Sequence, residues 1–453
     1  MARIEDLEAL VDSGDRQKLR LILNDKHAAD LAEWLSQMDP PRRLSCFRLL
    51  DIDNASAVLA ELEPDIQSEL LKELGEFGLV PIISKMSPDD AVDLLGELPA
   101  EKVQAIISQM TDVEAAGDIE ELMAFPEDSA GGIMSTDYLA VSAGMTVEQA
   151  LAHLRERYEK FEEDIYDVYV VDDEEKLVGR VTVKELLTAP PDALVAGQMD
   201  TSVVTVTTET DQEEAAEKLS RYDLLSLPVV DGQGKLRGII TADDVIDVLK
   251  EEATEDIYQS SGISAGGHEL SETLTYSVPA AFRARLPWLI IVILIESLSS
   301  VVINRFDTII REMVVAASFM PLLSAVTGSV ATQSICIVIR GAASDNINWR
   351  AAWRSLAHEL RVGMLLGLAC GLLTFAVSIL FHSVGLHLGL VVALSLFVTM
   401  TVGILTGTLM PLIFQQLGID PAHSSGPFIT SLLDVGTFTI YLTIVHSLLT
   451  SLQ

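Results

Sequence analysis

The sequence predicts a multidomain chain built from an α-helical superhelical N domain, a tandem α/β pair, a connecting helix and a five-helix transmembrane bundle. Three observations lead to it. Acid is segregated: residues 1–278 hold 60 of the 67 Asp and Glu and 22 of the 30 Lys and Arg, whereas 279–453 hold only 7 acids and 8 bases. That second part is dominated by long apolar runs. Between the two lies an internal repeat at an offset of 59 residues. The boundaries expected from these shifts are 1–130 for the N domain, 131–190 and 191–250 for the paired copies, 251–280 for the connecting helix and 281–453 for the bundle.

Residues 1–130 read as short helices with repeated stops (LAEWLSQMDPPRR, AVLAELEPD, IISKMSPDD, VDLLGELPAEK). Pro or Asp stands where each new helix begins, as expected at a capped N-terminus. Helices this short must bury their apolar stripes on one another, which predicts a superhelical array. Many of its acids form a solvated face.

The repeat aligns VYVVDDEEKLVGRVTVKELL (168–187) with LPVVDGQGKLRGIITADDVI (227–246). Asp172 meets Asp231, Leu177 meets Leu236, Gly179 meets Gly238 and Thr182 meets Thr241. Alternating apolar residues mark strands, and Glu-Lys or Asp-Gly marks the turn between them. Each copy is preceded by a helical segment (147–160 and 211–222) and an opening Met (Met134, Met199). A β-α-β-β-α unit occurring twice in this way resembles the tandem CBS module. The resemblance implies a regulatory sensor, with an adenine nucleotide such as ATP as a candidate ligand.

Five apolar stretches, about 286–303, 313–339, 361–381, 386–414 and 427–450, are each long enough to span the roughly 30 Å hydrocarbon layer as a helix. Small and helix-breaking residues within them (Gly328, Gly403, Gly407, Pro321, Pro411) suit helices packed on one another. Arg283, Arg285, Arg340, Arg350, Arg354 and Arg361 fall on one side of the bundle, and Arg305 and Arg311 on the other. The excess marks the cytosolic face. The polar, acidic opening MARIEDLEALVDSGD reads as no cleavable signal peptide, so the expectation is a multi-pass protein of the cell (inner) membrane with cytosolic N-terminal domains and the C-terminus outside.

Ionisable groups inside the spans are few. Asp434, in TSLLDVGTFTIY, is flanked by Thr430, Ser431, Gly436 and Thr437, a small polar face suited to a water path, and no basic residue shares its span. An intramembrane carboxylate is unfavourable unless a partner or a water path meets it. The competing reading is a carboxylate hydrogen-bonded for packing. For Glu296, in LIIVILIESLSS, structural pairing and an ion pathway both stay open.

Composition narrows the function classes. A net charge of −37 repels nucleic acid and attracts cations. Cys46, Cys336 and Cys370 are far apart, and the eight histidines are scattered, so no thiolate or imidazole site for a softer metal is indicated. No GxSxG, HExxH or P-loop pattern occurs, and no enzyme activity is expected.

Acidic helical array, paired CBS units and five spans with Asp in the last: this order resembles the MgtE family of magnesium transporters and channels across essentially the whole chain. FPEDSAGGIMSTDY (125–138) is similar to the family's junction, EEATEDIY (251–258) to the start of its plug helix, and PLLSAVTGSVATQSICIVIR (321–340) and GIDPAHSSGPFITSLLDV (418–435) to its pore segments. The resemblance implies a homodimer in a lipid membrane with the pore between protomers, and Mg²⁺ as both cargo and regulator. It implies that Asp434 and the backbone at Thr430 surround a hydrated Mg²⁺, with Asp420 near the cytosolic mouth. Carried over residue by residue, it implies sensor acids at Asp89 and Asp93, Asp211 and Glu213, Asp223, Asp244 and Asp247, and Glu252, Glu255 and Asp256. Of the family's GGNxGNQS stretch, the run from Thr327 to Ser334 keeps only Gly328, Gln333 and Ser334, and Gly426 stands where Asn is common. A CBS-regulated transporter of Mn²⁺ or Co²⁺, or of another solute under nucleotide control, is the alternative.

Overall fold

The structure is a computed structural model that describes residues 11, 15–96, 98–158, 166–263, 278–342, 349–382, 386–417, 419, 421 and 426–452. The chain divides into two compact units, Met1–Glu252 and Ala253–Gln453.

Among the described residues, the first unit contains eight helices ahead of its sheets: α1 (Arg16–Leu23), α2 (Ala28–Ser36), α3 (Pro40–Phe47), α4 (Ile52–Ala60), α5 (Pro64–Ile83), α6 (Pro88–Gly96), α7 (Ala100–Ile107) and α8 (Val113–Leu122). The stops read from the sequence act as caps. Asp15, Asp51 and Asp112 accept backbone N–H groups of the turn they open, and Pro40 and Pro64 take first helical positions, where the lost N–H would be unpaired anyway. Inside α5 the chain breaks at Gly75, whose φ of 69° is open to glycine but strained for other residues. Leu31, Leu35, Val58, Leu59, Leu70, Leu94, Leu95 and Leu122 close the core. Buried Arg43 ties the array together by donating to Glu69 at 2.7 Å and to the carbonyls of Leu35 and Met38.

The paired copies follow: β1 (Ala140–Ser142), α9 (Val147–Tyr158), β2 (Asp167–Val171), β3 (Leu177–Thr182) and α10 (Val183–Thr188), then β4 (Val206–Thr207), α11 (Gln212–Arg221), β5 (Ser226–Val230), β6 (Leu236–Thr241) and α12 (Ala242–Ser260). Each sheet has its first strand parallel and its last antiparallel to the middle one. The 59-residue offset survives in detail: Asp167 faces Thr182 as Ser226 faces Thr241, and both sheets bulge at the matching step, Val170/Val171 and Val229/Val230. The leading segments are exchanged. Met134, ahead of the first copy, packs on Gly238 in the second, and Met199, ahead of the second, packs on Gly179 in the first. Ser135 pairs with Ile239 and Arg180 with Asp200 accordingly. The core of the second copy runs on into the helical array.

In the second unit the bundle comprises α13 (Val278–Arg305), α14 (Asp307–Glu312), α15 (Val314–Ala317), α16 (Met320–Ala342), α17 (Trp349–His382), α18 (Leu386–Gln416) and α19 (Gly426–Leu452). Among the described residues, five segments are long and apolar enough to cross a membrane. The stretch read as one run, 313–339, is interrupted between α15 and α16. The Tyr441 hydroxyl donates to the Ala316 carbonyl at 2.7 Å beside this break. Small residues set the helix spacing: a Cβ added to Gly407 would lie 2.5 Å from the Ala331 carbonyl oxygen. Helix α13 turns Leu289, Ile293, Leu294, Leu298 and Val301 outward, as a lipid- or partner-facing helix does.

Candidate functional site

Two groups of acids stand out, one inside the bundle and one in the soluble unit. Within the bundle, Asp434 lies about two turns into α19 and is half-buried. Ser324 on α16 donates to its Oδ1 at 2.5 Å. The Glu296 carboxyl, on α13, meets that of Asp434 in a side-chain hydrogen bond. Structural pairing and ion pathway were both open for Glu296; its partner turns out to be another acid. Three helices thus converge on two carboxyls and a hydroxyl.

The neighbours of Asp434 divide in two. Ser431 and Thr437 are 4% and 2% exposed and pack inward, whereas Thr430 and Gly436 are half-buried. The Thr430 and Ser431 hydroxyls donate to the Gly426 and Pro427 carbonyls of their own helix, at 2.7 and 2.8 Å. The polar face expected from sequence is therefore narrower than its residue types suggest. The Thr430 methyl rests on Gly328, where an added Cβ would come within 2.8 Å of it. Asp420 lies outside the described residues. Sequence reasoning passed over Glu359, 6% exposed and accepting from the Ser334 hydroxyl at 3.1 Å. An acid within an otherwise apolar helix was the signal available for it. At the start of α19, an added Cβ on Gly426 would stand 3.7 Å from the Ser260 carbonyl oxygen at the end of α12.

In the soluble unit, α6 and α12 bring acids toward one another. Burial pushes the Asp90 carboxyl up, and the charges of Glu61, Asp243 and Asp247 add to that, against a lowering hydrogen bond from Ser87. Burial likewise pushes Asp244 up to about 6, with Asp243 and Asp90 adding, although the Thr241 hydroxyl and N–H both donate to it. Asp90 is solvent-exposed by area yet stands among densely packed atoms, so it can lose solvation without being covered. Asp89 shares its helix and is buried, while Asp93, four residues on, is exposed. Asp247 is exposed and pairs with Lys250 at 2.7 Å.

Other expected sensor acids are committed locally. Asp211 caps α11 by accepting the Glu213 N–H at 2.9 Å. Exposed Asp223 follows α11 with a φ of 50°. Glu252 accepts from Gln212 at 2.6 Å, and Glu255 from Gln259 at 2.5 Å. Glu213 is exposed, and Asp256 is half-buried on α12. Sequence reasoning missed Asp90, Asp243 and Glu61; only the folded helices place them beside Asp244 and Asp247. Among the described residues no three of His, Cys, Asp and Glu are grouped so that they could hold a metal ion. The acids acting on Asp90 and Asp244 offer only oxygen donors, the type that a hard cation prefers. Between the paired copies, Arg180, Ser202, Tyr222, Leu224 and Ser226 line a cleft of about 160 Å³.

Residues 320–444 match the family described as divalent cation transporter, 26–128 the MgtE intracellular N domain, and 130–192 and 195–251 the CBS domain. The magnesium transporter MgtE of Bacillus subtilis is 34% identical over 444 residues, covering 98% of this chain and 96% of the relative. That of Thermus thermophilus is 35% identical over 445 residues, covering 98% of each. A crystal structure of the cytosolic domain of the Mg²⁺ channel MgtE in complex with ATP aligns with 54% of this chain and 100% of its own at a TM-score of 0.52 and 38% identity. With its helical array, CBS pair and apolar helices all in the same order along nearly the whole length of those relatives, the chain belongs to the MgtE family, as a multi-pass membrane protein with cytosolic N-terminal domains.

Proposed function

We propose that the chain carries Mg²⁺ inward across the cell membrane as a homodimer, along a path beside Asp434, and that cytosolic Mg²⁺ closes that path. The observation that carries this reading is Asp434 itself, a half-buried carboxylate in an apolar span whose contacts are a hydroxyl and a second acid. An Asp at the bilayer centre is unfavourable by about 2.5–3.5 kcal/mol on insertion scales, and a divalent ion passing beside it offsets that. Mg²⁺ sheds water reluctantly and keeps several waters beside one or two carboxylates. One Asp from each protomer suits such a hydrated ion. The relatives named as magnesium transporters support the choice of cargo.

Closure rests on the acids of α6 and α12. Like charges about 6 Å apart repel by about 3 kcal/mol at an effective dielectric of 20. A few such pairs reach the roughly 5.5 kcal/mol that swings a two-state equilibrium from 1:99 to 99:1. When Mg²⁺ is scarce the acids drive these helices apart; when it is plentiful, bound ions bridge them. Helix α12 carries the change toward α19, beside which it ends. The regulatory ions fall to Asp89, Asp93, Asp211, Glu213, Asp223, Asp244, Asp247, Glu252, Glu255 and Asp256. The cleft lined by Arg180 and Tyr222 offers a cation for phosphate and a ring for an adenine base, and the related ATP complex supports a nucleotide there. Five crossings from a cytosolic N-terminus leave the C-terminus outside.

In proteoliposomes, Asp434→Ala is expected to abolish Mg²⁺ uptake; retained uptake removes Asp434 from the path. A second reading, transport of Mn²⁺ or Co²⁺, draws on the Thr327–Ser334 run, where hydroxyl and methyl side chains replace the family's amides. The same assay with those ions separates the two.

A further inference from the structure

Glu296 enters the reading above only as the acid beside Asp434, yet it occupies an improbable place. It sits near the middle of the Ala281–Arg305 span, and no Lys or Arg occurs in 286–304, 312–339 or 426–452. The nearest base along its own helix, Arg305, is nine residues on, about 13 Å at helical rise. Its carboxyl nevertheless meets that of Asp434. Two carboxyls in contact in an apolar setting repel unless a cation, a proton or a metal ion, lies with them.

A second observation points the same way. Ser299 is one turn beyond Glu296 on the same face of α13 and adjoins its carboxyl. It is 3% exposed, and its Oγ makes no hydrogen bond of normal geometry. A buried hydroxyl left in that condition in an apolar span is costly. Water has no general access at that depth, so an oxygen of this kind is suited to a hydrated ion that visits. Ser324, which donates to Asp434, brings a third oxygen from α16.

We infer that Glu296 is a second carboxylate of the ion path, forming with Asp434, Ser299 and Ser324 of the same protomer a transient binding site for a hydrated divalent cation. In the dimer the path then carries four carboxylates rather than two, and α13 belongs to it alongside α16 and α19. Glu296 thereby sets how tightly the path holds its ion. This rests on the reading of Asp434 as part of the path.

The test is Mg²⁺ uptake against Mg²⁺ concentration by the full chain in proteoliposomes. Glu296→Gln keeps the shape of the side chain and a hydrogen bond to Asp434 but removes the charge, so a purely structural role leaves uptake unchanged. The expected result is a half-saturation concentration raised by at least about tenfold, with Glu296→Asp recovering most of the loss. Unchanged half-saturation in Glu296→Gln, alongside dead Asp434→Asn, overturns the assignment of Glu296 and leaves that of Asp434 standing. Normal uptake by Asp434→Asn overturns both. If Glu296→Gln does not fold, Ser299→Ala takes its place: half-saturation raised severalfold supports the site, and an unchanged value overturns it.

Discussion

On the proposed role of Asp244 in holding regulatory Mg²⁺, one carboxyl can report on the metal. Its value, pushed up to about 6, lies above the ordinary Asp value of about 4, so between these the metal-free fold holds a proton that the unfolded chain lacks. Stability without metal therefore falls as pH rises from about 4 to about 6, and levels off above. Mg²⁺ needs the ionised carboxylate, so its stabilising effect grows over the same window. The Mg²⁺-induced rise in thermal midpoint of the full chain in detergent is expected to be larger at about pH 7.5 than at about pH 5. Asp244→Asn should raise the metal-free midpoint near neutral pH and flatten the difference. Equal Mg²⁺ effects at both pH values would take Asp244 out of the site. The sequence placed Asp244 and Asp247 on one segment, and Asp434 and Glu296 in apolar spans, because those signals are local. It did not reveal that Asp90 and Glu61 face Asp244 and its neighbours, or that Glu296 meets Asp434. Those pairings depend on how separate helices pack, which periodicity does not encode.

Helix spacing in the bundle rests on small residues. Gly407→Ala would set a methyl 2.5 Å from the Ala331 carbonyl oxygen, closer than side-chain carbons ever come to such a group. The helices must part, at a destabilisation of about 1–3 kcal/mol, seen as a lower thermal midpoint in detergent. An unchanged midpoint would mean that α16 and α18 can separate freely. At this scale the α/β copies were fully legible, since the 59-residue offset recurs in both strand pairings and in the position of the bulge. The break between α15 and α16 was not. Apolar residues continue straight across it, and the Tyr441 hydroxyl that attends it comes from 125 residues away.

For the molecule as a whole, the net charge of −37 is carried almost entirely by the cytosolic part. A surface of one sign attracts counter-ions, which on the proposed function makes that part the one to respond to divalent cations. Millimolar Mg²⁺ is expected to slow proteolysis between residues 251 and 278. Equal cleavage rates with and without Mg²⁺ would count against closure by bridging, while leaving transport past Asp434 untouched. The order of domains was evident in the sequence, because acid, repeat and apolar runs occupy separate stretches.

The exchanged methionines carry a last implication. Met134, which leads into the first copy, completes the interior of the second, and Met199, which leads into the second, completes that of the first, so neither half is finished without a piece of the other. Trimming the chain to a single copy would leave an open socket on one side and a stray plug on the other. Whatever strains one half is thus felt at once by its twin, and the pair behaves as one indivisible part.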